Sequence, residues 1–451
     1  MRANTTSRDS GSLNMKYLKN KTWLILAHSF NMDGRAVSQT ITDRMPLLMQ
    51  NGITPLVISA PTGSKDKNFV HSRVLSPAPS GIRFEMRYII KNKFSDKFVS
   101  QFLKALVAII CLPFYALEKI FINLDSHWSW FISASVKGIF FVRKYKPDLI
   151  YSTAGPSSTH VAGFILSRLF DIPWICEIHD PLLYDHEKPV YQRYSFHKFL
   201  EKLIFNNACA VIFFTEKARK KAENRTHIKN KAHVLRPGAN PPEIQDISYK
   251  KRQKIHFGHF GVLATGRNLV SFMCALFSLF KERPELRDKI CLDIYGDNLD
   301  SVSGRALNKY SLHDVVNQHG RLEFDQTSGK SGRERVIESM HLCDVLLLLH
   351  GEKREACQEY VPSKLYEYLL TKRPVLGIVS KDSELDIILT DNGHPVVYNN
   401  NDTGRLKQVI NDFAVQWETE QGVREHEKGS PFTMENTVNS LLEIAESCIT
   451  K

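Results

Sequence analysis

Two glutamates, Glu359 and Glu367, bracket the most chemically suggestive stretch of this chain, Glu-Tyr-Val-Pro-Ser-Lys-Leu-Tyr-Glu. Pro362 suits a first helical turn, where its fixed φ and missing N–H cost nothing. Glu359 then falls just before a helix and Glu367 inside it. A helical carboxylate can grip the two ribose hydroxyls of a nucleotide. Ser363, Lys364 and the amides at the helix start can hold phosphate oxygens. Plainer readings stand beside this one: helical glutamates are commonly solvated, and Lys364 can simply pair with Glu367 at i,i+3.

Three other segments carry candidate chemistry. Gly258-His-Phe-Gly261-Val-Leu-Ala-Thr-Gly266-Arg267-Asn268 joins an apolar run to a helical stretch. Its glycines offer backbone donors and Arg267 a forked cation, a combination suited to a diphosphate. It matches neither the Walker pattern nor a strict dinucleotide fingerprint. His179-Asp180 follows the apolar run Trp174–Glu177, and such a pair can bind hydroxyls and stabilise developing charge. Gly34 and Arg35 stand where the first apolar run gives way to a helix. A glycine there lets amides approach an anion or a sugar, or makes an ordinary tight turn.

These segments need strands to hold them. Thr22–Ala27, Thr54–Ser59, Pro147–Ser152, Trp174–Glu177 and Ala210–Phe214 are short buried strands alternating with helical stretches, and Ile255–Gly261 restarts the pattern. Ile290–Tyr295, Asp344–Leu349 and Pro374–Ile378 continue it. The expected fold class is α/β, with two Rossmann-like domains facing a cleft and ligands bound at strand carboxyl ends. Residues 1–20 are expected to be a disordered tail, 21–245 the first domain and 246–430 the second. Residues 431–451 are expected to form a helix that packs back on the first domain. The Pro/Gly-rich stretch Arg236–Pro242 marks the domain boundary.

The chain has 451 residues and a net charge of +12. Through Arg236 there are 34 Lys/Arg against 17 Asp/Glu, so the whole excess lies in the first half. That asymmetry suits an anionic membrane surface or a nucleic acid, or it marks only a solvated face. Residues 90–145 carry Phe94, Phe98, Phe102, Leu106, Ile109, Ile110 and further apolar residues at helical spacing, beside Lys91, Lys93, Lys97, Lys104 and Lys119. Such a stripe either lies in a membrane interface or packs on the first sheet. No uncharged apolar run reaches membrane-spanning length. Ala105–Leu117 comes nearest, with Pro113 inside it, so no spanning helix is expected. No secretion signal is visible, and the eight scattered cysteines read as buried thiols of a reducing cytoplasm.

Together these segments resemble glycosyltransferase family 4. The run PDLIYSTAGPSSTHVAGFILSRLFDIPWICEIHDPL is similar to its first-domain signature, and FGHFGVLATGRN and EYVPSKLYEYLLTKRPVLGIV to its donor domain. Glu359 and Glu367 match the family's Glu-x7-Glu motif. The resemblance implies the GT-B architecture and retention of anomeric configuration. It also implies residue roles: His179 against the transferred sugar, Glu359 on donor-sugar hydroxyls, and Glu367 on the ribose. Gly261 and Arg267 flank the diphosphate, with Pro362, Ser363 and Lys364 on the donor side, and Gly34, Arg35 and Asp180 lie in acceptor-side loops. The chain departs from the pattern at Val262, where the family commonly has Arg, and at Gly266-Arg267, where it commonly has Lys-Gly.

The resemblance implies a nucleoside-diphosphate sugar as donor and an acceptor hydroxyl on a lipid-linked or cell-surface glycan precursor, of the polysaccharide or lipopolysaccharide kind. It implies no cofactor. No Asp-x-Asp motif is present and no metal is expected. The expected setting is cytoplasmic and peripheral, with residues 90–120 against an anionic membrane and no nucleic acid bound. The rivals are a nucleotide-sugar epimerase on the same fold, and a non-catalytic nucleic-acid- or membrane-binding protein on a degenerate transferase fold. A nucleic-acid binder would need interleaved aromatics and cations.

Overall fold

A computed structural model describes residues 18–32, 35–94, 96–122, 124–153, 155–183, 191–240, 249–264, 266–351, 358–398, 402–427 and 429–450. The first domain contains β1 (Thr22–Ala27), β2 (Thr54–Ser59), β3 (Val70–Arg73), β4 (Leu149–Thr153), β5 (Trp174–Ile178), β6 (Ala210–Phe213) and β7 (Ala232–Val234). They form one parallel sheet in the order β3-β2-β1-β4-β5-β6-β7. Leu24 pairs with Leu56 on one side and Ile150 on the other. The central strands are apolar almost throughout because helices cover both faces. Those helices are α1 (Ala36–Thr42), α2 (Met45–Gln50), α3 (Pro79–Lys93), α4 (Lys97–Phe121), α5 (Trp130–Tyr145), α6 (Ser157–Phe170), α7 (Tyr191–Asn207) and α8 (Glu216–Arg225).

The second domain repeats the plan. Its strands are β8 (Ile255–Phe260), β9 (Ile290–Tyr295), β10 (Val316–Gly320), β11 (Val345–Leu349), β12 (Val375–Val379) and β13 (Val396–Tyr398), ordered β10-β9-β8-β11-β12-β13 and all parallel. Around them lie α9 (Val270–Glu282), α10 (Ser301–Lys309), α11 (Gly332–Leu342), α12 (Lys364–Leu370), α13 (Glu384–Asp391) and α14 (Thr403–Thr419). The chain then returns to the first domain. α15 (Met434–Ile449) buries Met434, Val438, Leu441 and Leu442 in the same apolar cluster as Trp23 and Ile25 of β1. Strand order reverses between β1 and β4 and again between β8 and β11. Adjacent loops part at those points, opening the crevice where doubly wound sheets bind ligands.

Two sequence expectations need adjustment. Leu18 is buried in the first core and the Asn20 amide donates to the Gly52 carbonyl at 3.0 Å, so the packed chain begins before residue 20. Residues 1–17 and the proposed boundary at 245 lie outside the described residues. The expectation of no helix of spanning length is also corrected. α4 runs for 25 residues through Pro113 and is long and apolar enough to cross a membrane by length and composition. It does not pack on the sheet: it lies against α3, and only Ser100 and Glu118 of it are buried.

Candidate active site

The crevice holds two adjoining cavities, of about 790 Å³ and 250 Å³, which share Ala36, Thr40, Pro237, Ser363 and Tyr366 as lining. The larger takes Gly261, Lys364 and Glu367 from the second domain and Arg35 and Lys91 from the first. The smaller takes His179 and Asp180 from the first domain and Glu359 from the second.

Gly261 ends β8 with φ of +138°, a conformation side chains rarely adopt. A Cβ on it would lie 1.7 Å from Lys364 Nζ, so the glycine is what lets the ammonium sit over the strand end. Gly296, at the end of β9, repeats the device with φ of +135°, and its absent Cβ leaves room for the Gly261 carbonyl. Burial lowers the Lys364 pKa to about 8, with Arg267 nearby adding to the effect and Glu367 opposing it. A cation held this way gains strongly from an arriving anion.

Glu367 stands one turn into α12. Burial raises its pKa, opposed by Arg333, whose guanidinium lies 3.5 Å from its carboxylate. Arg333 also forms a two-pronged pair with Asp43 of the first domain, at 2.9 and 2.7 Å, and so bridges the crevice. Pro362 precedes α12 rather than opening it: its carbonyl accepts from the Leu365 amide at 3.0 Å. Ser363 is the N-cap and faces both cavities.

Glu359 is buried opposite. One carboxylate oxygen pairs with Lys221 of α8, and the other is buried without a hydrogen-bond partner among the described residues. Its carbonyl accepts from the Thr215 hydroxyl at 3.0 Å. An orphaned carboxylate oxygen beside a cavity is an acceptor ready for a ligand hydroxyl.

His179 faces this corner with its orientation fixed from below. Its Nε2 lies 2.8 Å from Glu177 and 3.0 Å from the Thr153 hydroxyl, and its ring leans on Phe214. Glu177 is fully buried in β5. Burial alone would raise its pKa, but Arg44 and the bonds from His179 and Thr153 hold it well below the ordinary carboxylate range. Arg44 is likewise fully buried and donates to Glu177 at 2.5 Å and to the Tyr151 hydroxyl at 2.7 Å. An ionised carboxylate only accepts, so His179 presents Nε2–H to it.

The structure therefore brings Glu359, Glu367, Lys364, Ser363, Gly261, His179 and Asp180 to one crevice. Arg35 joins them on the first-domain wall, its guanidinium 2.9 Å from the Tyr88 hydroxyl. Arg267 does not line either cavity. Its guanidinium turns back to the Val262 carbonyl at 2.8 Å, though it lies near enough to depress Lys364, His259 and His350. Gly34 lies outside the described residues. Sequence reasoning missed Arg333, Asp43, Arg44 and Glu177. Two signals were available: Ser331 and Glu334 form a capping box that puts Arg333 in a first helical turn, and Glu177 is a charge within a buried strand.

Residues 101–238 match the family described as "Glycosyl transferase 4-like domain". No curated protein sequence matches the chain. Among solved structures, HepE of Anabaena, in complex with UDP and glucose, is similar with a TM-score of 0.59 and 13% identity, covering 95% of this chain and 100% of that one. The sucrose-phosphate synthase of Thermosynechococcus elongatus gives a TM-score of 0.60 at 12% identity, with 95% and 99% covered. WaaG, described as a glycosyltransferase involved in lipopolysaccharide biosynthesis, gives 0.53 at 14% identity, with 95% and 99% covered. At such identities these likenesses speak for the fold, and the matched domain speaks for residues 101–238. Residues 101–238 thus match a glycosyl transferase 4-like domain, and the chain as a whole shares the two-domain GT-B fold of these structures.

Proposed function

We propose that the protein transfers a sugar from a nucleoside-diphosphate sugar to an acceptor hydroxyl with retention of anomeric configuration. The observation that carries this reading is the Lys364 ammonium seated over Gly261, with Glu367 on one side and the Glu359–His179 corner on the other. Glu367 takes the ribose hydroxyls, Lys364 the diphosphate, and the unpartnered oxygen of Glu359 a hydroxyl of the donor sugar. As the bond to the leaving group lengthens, negative charge gathers on the diphosphate and positive charge on the anomeric carbon. Lys364, with Arg267 behind it, stabilises the first, and fixed cations there do the work a metal would otherwise do. His179 packs against the sugar near the reacting carbon. The acceptor attacks from the leaving-group side, and the departing phosphate takes its proton.

The acceptor in this reading is a lipid-linked or cell-surface glycan precursor, with the enzyme cytoplasmic and peripheral. Arg35 and Lys91 on the first-domain wall suit an acceptor bearing phosphate. A thermal-shift series with UDP, GDP and ADP and their glucose and N-acetylhexosamine conjugates tests the donor assignment, with UDP-glucose first because HepE is solved with it. One nucleotide family should raise the Tm of the wild type. Glu367→Ala should lose most of that shift, roughly 10- to 100-fold in affinity for hydrogen bonds to a charged group, while its own Tm stays near wild type. No stabilisation by any nucleotide rejects the reading. Conversion of the donor sugar to its epimer without acceptor favours an epimerase.

A further inference from the structure

Eleven large apolar side chains of α4 stand exposed, among them Phe98, Phe102, Ile109, Phe114, Ile120 and Phe121. From Phe102 to Phe121 the outward face carries no charge over roughly 30 Å. The inward face is partly covered, because it lies along α3. The helix pair is thus the amphipathic unit: α4 supplies the apolar side and α3 the polar one.

We propose that α4 is an in-plane membrane anchor, sunk lengthwise into one leaflet of an anionic bilayer, with α3 standing between it and the acceptor wall. Three ties keep α4 parallel to α3 and so forbid crossing. Glu118, near the end of α4, accepts from the Ser80 amide at 2.8 Å and the Ser80 hydroxyl at 2.5 Å, at the start of α3. It also accepts from Trp128 Nε1 at 2.7 Å. About one turn further in, Arg83 of α3 lies 4.8 Å over the Tyr115 ring. At the other end the two helices join directly, with Asp96 capping α4. A helix tied to a folded domain near one end and turning straight into α3 at the other cannot turn upright through a bilayer, yet it can lie in one.

Charge picks the occupant. Lys91, Lys93 and Lys97 are exposed at the α3–α4 turn, beside an apolar face of this length, which matches anionic headgroups over acyl chains. Lys91 also lines the larger cavity, so α3 connects the bilayer to the crevice. An acceptor whose lipid tail stays in the leaflet can then present its head group at the Arg35–Lys91 wall. The proposal rests on the transferase reading for that last step only, and Glu118 becomes a positioning residue that sets the crevice at a fixed height above the membrane.

The test is flotation of the full chain with vesicles of phosphatidylcholine and phosphatidylglycerol, with nucleotide thermal shift measured in parallel. The wild type should float and should remain largely bound at high salt. The variant Ile109→Glu/Ile110→Glu/Phe114→Glu should float about tenfold less while keeping its nucleotide shift. Phe114→Trp should be quenched by lipids brominated in the acyl chain. The proposal is overturned if the wild type stays in solution, if high salt releases all of it, or if the triple variant floats equally well. It is also overturned if the wild type dimerises through this face, with the triple variant monomeric and neither one floating. Flotation without any nucleotide shift upholds the anchor and counts against the transferase reading alone.

Discussion

At the scale of single residues, the site is a set of charges held where solvation is poor. Lys364 is the clearest case. With its pKa near 8, it is mostly charged at pH 7 and mostly neutral at pH 9. A bound diphosphate favours the charged form, so above pH 8 binding must take up a proton. Affinity for the nucleoside diphosphate should therefore fall as pH rises, by about tenfold per unit once well above the free pKa. Calorimetric titration from pH 7 to 10 checks this, and Lys364→Arg should flatten the profile. Glu177 is the complementary case. Its depressed pKa contributes stability that is present above the ordinary carboxylate value and lost as pH falls below it. Glu177→Gln should leave Arg44 buried without its counter-charge, costing roughly 3–5 kcal/mol in chemical denaturation. It should also loosen the His179 ring.

At the scale of elements, the crevice depends on two strand ends where a side chain cannot be tolerated. Gly261→Ala asks for a Cβ where Lys364 Nζ sits and for a φ that alanine resists. About 1–3 kcal/mol of strain is expected, with nucleotide affinity lost more sharply than stability. Gly304→Ala is the control. It lies inside α10 with nothing within 4 Å of the new methyl, so it should be neutral or stabilise by about 0.5–1 kcal/mol. Melting curves with and without nucleotide separate the two effects. The central strands were legible because both of their faces are apolar. β3, β7, β10 and β13 were not, since they are short or polar edge strands whose existence depends on a neighbour to pair with.

At the scale of the whole molecule, the two domains are linked at several points besides the connecting segment, the Lys221–Glu359 pair among them. Arg333 joins Asp43 to Glu367 across the crevice, and Arg236 of the first domain pairs with Glu384 of the second at 2.7 Å. α15 then closes the chain on the domain where it began. Its buried Met434, Val438, Leu441 and Leu442 contribute on the order of 1.5–3 kcal/mol each, which together rivals the stability of an ordinary domain. Truncation after Thr433 should therefore leave the first domain insoluble or molten even though it removes no crevice-lining side chain except Met434. Soluble yield and near-ultraviolet circular dichroism check this.

The sequence by itself determined the alternation of strands and helices, the two-domain plan and the segments that bring Gly261, Lys364, Glu367, Glu359 and His179 to the crevice. Each of these follows from local period, turn chemistry or a short motif, which neighbours in the chain settle among themselves. Tertiary structure decided the rest. Arg333, Asp43 and Glu367 lie far apart in sequence and meet only because two sheets reverse their strand order face to face. Arg267 reads as a diphosphate ligand by composition, yet its guanidinium turns to the Val262 carbonyl, a choice set by loop geometry. The apolar spacing of α4 was visible from the start. That it faces outward was fixed by Glu118 and α3, because periodicity shows which residues share a face but not what that face meets.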